Sequence, residues 1–179
     1  MSFPRPKKKS YSEDELYDYT VHALARRMRT VAELKRLMRA RVKAAETEYG
    51  QTLIELVIQR LKDRGYLNDS QYAASFSSFR RDNQKFGRMR VITDLKTKGI
   101  HGDVIEKAVE AAYEGVNEEK QAREYLRKKR LKKPKGQKQV ARIFRQLARA
   151  GFRTGTILRI LKKWDVDEET LSALESESV

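Results

Sequence analysis

Residues able to do bond chemistry are scarce in this chain. His22 and His101 are the only histidines and cysteine is absent. Neither histidine has an acidic partner at metal-ligand spacing or a serine in a nucleophile-elbow setting. Gly99-Ile100-His101-Gly102 has no Lys-Ser/Thr after its second glycine, so it is not a phosphate-binding P-loop. The carboxylate pairs Glu13/Asp14 and Glu118/Glu119 fall in first turns of expected helices, where the helix dipole favours an acid. Without cysteine there is no disulfide, thiolate nucleophile or cysteine-zinc site. Catalysis, a metal and a cofactor are therefore not expected.

Positive charge is abundant instead. The 179 residues hold 40 Lys and Arg against 25 Asp and Glu, a net charge of +15, which implies acidic or polyanionic partners. The charge is uneven. From Arg123 to Arg149 there are twelve Lys and Arg against one acid, Glu124, whereas no Lys or Arg follows Lys163 and Asp165, Asp167, Glu168, Glu169, Glu175 and Glu177 do. The expected contacts are Arg88, Arg90, Lys96 and Lys98, then Arg127, Lys128, Lys129, Arg130, Lys132, Lys133, Lys135, Lys138, Arg142 and Arg145. Exposed rings between basic residues would make a stacking platform for single-stranded nucleic acid. Here Tyr72, Phe76, Phe79, Tyr125, Phe144 and Trp164 fall largely on helical packing stripes, which leaves Phe86 and Phe3 as open cases.

Helices must position these charges. Gly65-Tyr66-Leu67-Asn68-Asp69-Ser70-Gln71-Tyr72-Ala73 ends one helix and starts the next. Gly65 can take the left-handed conformation that closes a helix, Tyr66 can fold back over its last turn, and Asp69 is expected to cap a helix opening at Ser70. Tyr72 and Ala73 then begin its packing face. Ile54, Val57, Ile58 and Leu61 form an i, i+3, i+4, i+7 stripe. It returns as Ile105, Ala108, Val109 and Ala112, and again as Ile157, Ile160, Leu161 and Trp164. A preceding stripe repeats as Val31, Leu34, Leu37; Met89, Ile92, Leu95; and Ala141, Phe144, Leu147. Val21 and Leu24 answer to Ala73 and Phe76, and to Ala122 and Tyr125.

The pattern predicts an all-α protein of three tandem three-helix repeats, forming an elongated, curved right-handed or solenoid-like array in which neighbours share core. The expected divisions are a flexible basic arm over 1–11, repeats over 12–68, 69–116 and 117–168, and an acidic tail over 169–179. Ser12 with Glu15 and Thr30 with Glu33 read as capping boxes. Asp103, Asn117 and Thr154 read as caps. Lys43 to Gln51 is an insertion that extends the second helix or loops out. No apolar run approaches the ~18 residues that span a membrane, and no apolar segment follows the N-terminal basic residues. A cytoplasmic monomer is expected, away from membranes.

Gly65-Tyr66-Leu67-Asn68-Asp69, Tyr72-Ala73, Phe86-Gly87-Arg88 and Leu95-Lys96-Thr97-Lys98-Gly99-Ile100, at this spacing within three such repeats, resemble the RecX family of bacterial RecA regulators. The resemblance covers roughly residues 12 to 165 and is densest in the second repeat. It implies a curved all-α protein that lodges in the groove of the RecA–DNA filament and restrains filament extension, strand exchange, ATPase and coprotease activity. It implies the RecA nucleoprotein filament as partner, in SOS response and recombination, with no catalytic motif to carry over; direct contact with single- or double-stranded DNA stays open. The competing reading is a stand-alone basic DNA-binding protein whose repeats imitate a helix-turn-helix. In that reading the third helix of a repeat needs Arg, Asn or Gln outward. Glu106, Lys107 and Glu110 suit a duplex groove poorly; Arg159, Lys162 and Lys163 suit it better.

Overall fold

The structure, a computed structural model, describes residues 9–43 and 45–176. Its regular elements are ten α-helices: α1 (Glu13–Arg26), α2 (Val31–Arg41), α3 (Glu48–Asp63), α4 (Asp69–Gln84), α5 (Arg88–Thr97), α6 (Gly102–Tyr113), α7 (Glu118–Lys128), α8 (Gln137–Arg149), α9 (Thr154–Lys162) and α10 (Glu168–Ser176). The single extended pairing among the described residues joins Lys9 to Val42. There the Lys9 N–H donates to the Arg41 carbonyl (3.0 Å) and the Lys43 N–H to the Lys9 carbonyl (2.8 Å). Most of the basic arm, Phe3 included, lies outside the described residues; its end is tied down at Lys9 and at Tyr11, which is buried.

Local chemistry accounts for most helix starts. Ser12 with Glu15 and Thr30 with Glu33 form complete capping boxes, and Asn117 accepts from the Lys120 N–H. Three starts differ from the sequence expectation. Asn68, not Asp69, caps α4, accepting from the Gln71 N–H at 2.9 Å. Asp69 is the first helical residue, and its carboxylate accepts from the Val31 N–H at the start of α2 (3.0 Å). α6 begins at Gly102, which places Asp103 inside its first turn. α9 has no side-chain cap of its own; Glu118 of α7 accepts from the Arg153 N–H (3.1 Å) and the Thr156 hydroxyl (2.7 Å). At α9 a tertiary partner replaces the local cap, and an orphan helix donor is satisfied either way. Of the Lys43 to Gln51 segment, residues 45–46 lie in a turn and residues 48–51 open α3, with Thr47 as the cap.

The chain divides into two compact units, one of residues up to Ala73 with Lys96–Val104, the other of Ala74–Leu95 with Ile105 onward. The first has a core of Leu16, Tyr17, Leu34, Met38, Ile54, Val57, Ile58 and Leu61. The expected α3 stripe is wholly buried. In α1 the buried face is Leu16, Tyr17, Thr20 and Ala23, so Val21 and Leu24 are its half-buried flank. The second unit packs Ala122, Tyr125, Val140, Ile143, Phe144, Leu147, Ile157, Ile160 and Leu161. Each fully buried Leu or Ile contributes roughly 1.5–3 kcal/mol. In α5 the buried pair is Val91 and Leu95. Met89, expected inside, is exposed, as is Phe79 on α4. The span expected as an acidic tail, 169–179, holds all of α10 but its first residue, and Leu171 and Leu174 of that helix are buried in the second core.

One junction occurs once in each unit. In the first, the C-terminal turn of α5 meets the N-terminus of α2: the Thr30 hydroxyl donates to the Lys98 carbonyl (2.7 Å), and a Cβ on Gly99 would stand 2.5 Å from that of Ala32. In the second, the C-terminal turn of α8 meets the N-terminus of α5: the Gly87 N–H donates to the Ala150 carbonyl (2.8 Å), and a Cβ on Gly151 would stand 2.2 Å from the Arg90 nitrogen. The negative end of one helix meets the positive end of another, which favours the contact.

Candidate anion-binding groove

α8 sets the site. Its Val140, Ile143, Phe144 and Leu147 face the core, which forces Lys138, Arg142, Arg145 and Arg149, at i, i+4, i+7 and i+11, onto the opposite, exposed face. Like charges at i, i+4 repel by a few tenths of a kcal/mol each, so the stripe is a cost to the free helix. Arg142, Arg145 and Arg149 line an open groove of about 490 Å³ with Phe86, Arg90, Tyr125, Gln146 and Ala150. No carboxylate is among the lining residues. The floor is aromatic: Phe86 and Tyr125 have ring centroids 6.1 Å apart, and Tyr125 meets Phe152 edge-on at 5.8 Å. Arg90 lies over Phe86 at 5.8 Å and Lys129 over Tyr125 at 5.9 Å.

Turn chemistry and polar contacts hold Phe86 there. Lys85 takes a positive φ. The Phe86 carbonyl accepts from the Tyr113 hydroxyl (2.7 Å) and from Gln121 Nε2 (2.8 Å). Burial pushes the Tyr113 hydroxyl well above its ordinary value, which keeps it a donor. Arg90 is fixed by Asp94 at 3.0 Å, and Asp94 also pairs with Arg80 at 3.2 Å.

The other expected contacts divide by environment. Lys98 is largely buried, bonded to Glu33 at 2.9 Å and 5.5 Å over the Tyr72 ring. Burial alone would lower its pKa, but hydrogen bonds to Tyr72 and Glu33 leave it raised. Burial alone would raise Glu33, and the Lys98 ammonium with the Thr30 N–H holds it below the ordinary 4.5. Lys133 pairs with Asp165 (2.7 Å) and Lys128 with the Asn83 carbonyl. Lys96, Arg127, Arg130, Lys132, Lys135, Lys138, Arg142 and Arg145 are exposed and Arg88 half-buried. Gly65 has φ +72°, and the Tyr66 N–H closes the end of α3 on the Leu61 carbonyl (2.9 Å). Tyr72 and Ala73 are buried beside it. Sequence reasoning counts Arg149 in the basic run without placing it at a contact; its signal is the i+4 spacing from Arg145.

A family model described as RecX, second three-helix domain, matches residues 68–109. A regulatory protein RecX of Myxococcus xanthus is 32% identical over 168 residues, covering 88% of this chain and 88% of that protein. One of Pseudomonas putida is 31% identical over 146 residues, covering 81% and 88%. One of Oceanobacillus iheyensis is 30% identical over 157 residues; the match covers 86% of this chain and 55% of that protein, so the chain spans about half the length of that relative. A crystal structure of RecX from Lactobacillus salivarius aligns over 86% of this chain and 96% of its own, with TM-score 0.66 and 21% identity. Likeness at that identity establishes the fold.

Proposed function

The chain belongs to the RecX family of regulatory proteins, and from that premise we propose that it regulates RecA by lodging in the groove of the RecA–DNA filament and restraining filament extension, strand exchange, ATP hydrolysis and coprotease activity. The observation that carries this reading is the acid-free groove in which Arg142, Arg145 and Arg149 stand over Phe86 and Tyr125. A filament presents phosphates and acidic protein surface together, and a stripe of outward guanidiniums engages both through charge-assisted, bidentate hydrogen bonds. Exposed Arg127, Arg130, Lys132, Lys135 and Lys138 extend the charge at the end of α7 and the start of α8, and Arg88 adds to it from the start of α5. Lys98 serves the α2–α5 junction and contributes least.

The stand-alone DNA reader is less well supported. Its base-reading candidates on and just after α9 already face carboxylates: Arg159 and Lys163 meet Glu119 at 4.0 and 2.8 Å, and Lys162 meets Glu168 at 2.9 Å.

A triple substitution, Arg142→Gln with Arg145→Gln and Arg149→Gln, tests the proposal. It leaves the apolar face of α8 intact and removes mutual repulsion, so the melting temperature is expected to hold or rise slightly. Inhibition of DNA-dependent ATP hydrolysis and of strand exchange should weaken together, and the salt dependence of binding should become shallower by about one for each phosphate that is no longer engaged. Unchanged inhibition by the folded variant would contradict the assignment.

A further inference from the structure

The first unit has a cationic groove of its own, where the sequence placed no binding residue. It lies against α1 and α2, has a volume of about 340 Å³, and no carboxylate lines it. Arg26, Arg29 and Arg41 supply charge around it, while Ala23, Leu37 and the Tyr19 ring supply apolar wall.

Two of the three arginines are held by contacts within the unit. Arg29 gives its Nε–H to the Ala23 carbonyl (3.3 Å), which leaves the terminal NH₂ groups of its guanidinium without a bond from that contact. The Arg41 guanidinium lies over the Tyr19 ring at 5.2 Å and lines the groove. His22, which also lines the groove, has Nδ1 2.7 Å from the Asp18 carbonyl; a carbonyl only accepts, so Nδ1 is the donor there. Arg26 is exposed on the same helix. Side chains already fixed lose less conformational entropy when a ligand arrives.

Two classes of anion meet three arginines in a groove: a phosphodiester strand and a carboxylate-bearing peptide. A strand would be held by stacking its bases, but the Tyr19 ring is already engaged, with Tyr11 at 6.2 Å and Arg41 over it. What remains is aliphatic wall rimmed by guanidiniums. The geometry points to a docking site for a short acidic peptide, whose aliphatic side chain enters between Ala23 and Leu37 while its carboxylates pair with Arg26, Arg29 and Arg41. The site shares no lining residue with the α8 groove, and it neither rests on nor supports the filament reading.

The probe is a fluorescein-labelled peptide of about twelve residues, built of Glu and Asp around two Leu, titrated by anisotropy into the full chain. Arg26→Ala should weaken binding about tenfold, the worth of one charge-assisted contact, and Arg26 has no partner among the described residues whose removal would disturb folding. Arg39→Ala, exposed on α2 but not lining the groove, should leave binding unchanged. Replacing the two Leu of the probe by Ser should weaken binding comparably, which separates a built groove from attraction to a net charge of +15. Equal binding of the Leu and Ser probes, or an Arg26→Ala protein that binds like the parent, overturns the proposal. It is overturned equally if a single-stranded oligonucleotide, and not the peptide, loses affinity on Arg26→Ala.

Discussion

Gly151 and Gly65 have the same backbone hand, yet the structure gives them different jobs. Both have positive φ, +88° and +72°. A Cβ on Gly65 would meet nothing within 4 Å, whereas one on Gly151 would run into the backbone of Arg90. Gly65→Ala is therefore expected to cost about 1 kcal/mol of conformational strain. Gly151→Ala should cost at least about 2 kcal/mol more, because the clash is with main chain and cannot be relieved by a rotamer. Thermal melts of the two variants check the ordering, and equal losses would mean that the α8–α5 junction is not closely packed. The Glu33–Lys98 pair makes a second test at this scale. The folded pKa of Glu33 is depressed, so its contribution is present above the unfolded value near 4.5 and is lost as pH falls through the folded one. That of Lys98 is raised, so its contribution is full below 10.5 and is lost as pH rises through the folded value. Glu33→Gln keeps the capping box and should lower stability by about 1 kcal/mol at neutral pH. Relative to the parent, it should lose less on acidification below pH 4.5, which chemical denaturation at pH 3 and pH 7 would show.

At the scale of elements, the sequence was most legible where polar punctuation and apolar period agree. The boxes at Ser12 and Thr30 and the stripes of α3, α6 and α9 follow from residues within one turn of each other. Phase was harder in the second helix of each repeat. In α5, Val91 packs and Met89 does not, because Met89 stands next to the Gly87–Ala150 contact, which fixes how the helix enters. Asp69 could not be assigned from local spacing, since its partner, the Val31 N–H, lies 38 residues away in the chain. α10 was hidden by its charge: its acidic residues mask an i, i+3 pair, Leu171 and Leu174, that has one turn to act. Leu174→Ala tests its status directly. A buried leucine truncated to alanine costs about 2 kcal/mol or more, so the melting temperature should fall measurably; no change would return 168–176 to a solvated tail. The groove was half legible. Arg142 and Arg145 could be named from charge density, but their meeting with Phe86 and Arg90 depends on the α8–α5 junction, which no local pattern encodes.

At the scale of the whole molecule, a net charge of +15 with no partner is repulsive, and the distribution of that charge makes a partner's chemistry readable. Acids neutralise particular cations: Glu33 takes Lys98, Asp94 takes Arg80 and Arg90, and Glu119 takes Arg123, Arg159 and Lys163. Among the described residues no ion pair reaches the α8 stripe, which stands opposite a core that fixes its direction. Free DNA would satisfy such a stripe in part, whereas a RecA filament adds protein surface and repeats the site along its length, so that weak contacts accumulate. Co-sedimentation at physiological salt, with RecA assembled on single-stranded DNA in one tube and the same DNA alone in another, separates the two. The chain is expected to pellet with the filament at concentrations where it stays unbound to DNA alone, and the Arg142, Arg145, Arg149 triple variant to be depleted from the filament pellet. Equal binding of the parent chain to filament and to naked DNA would contradict the filament reading.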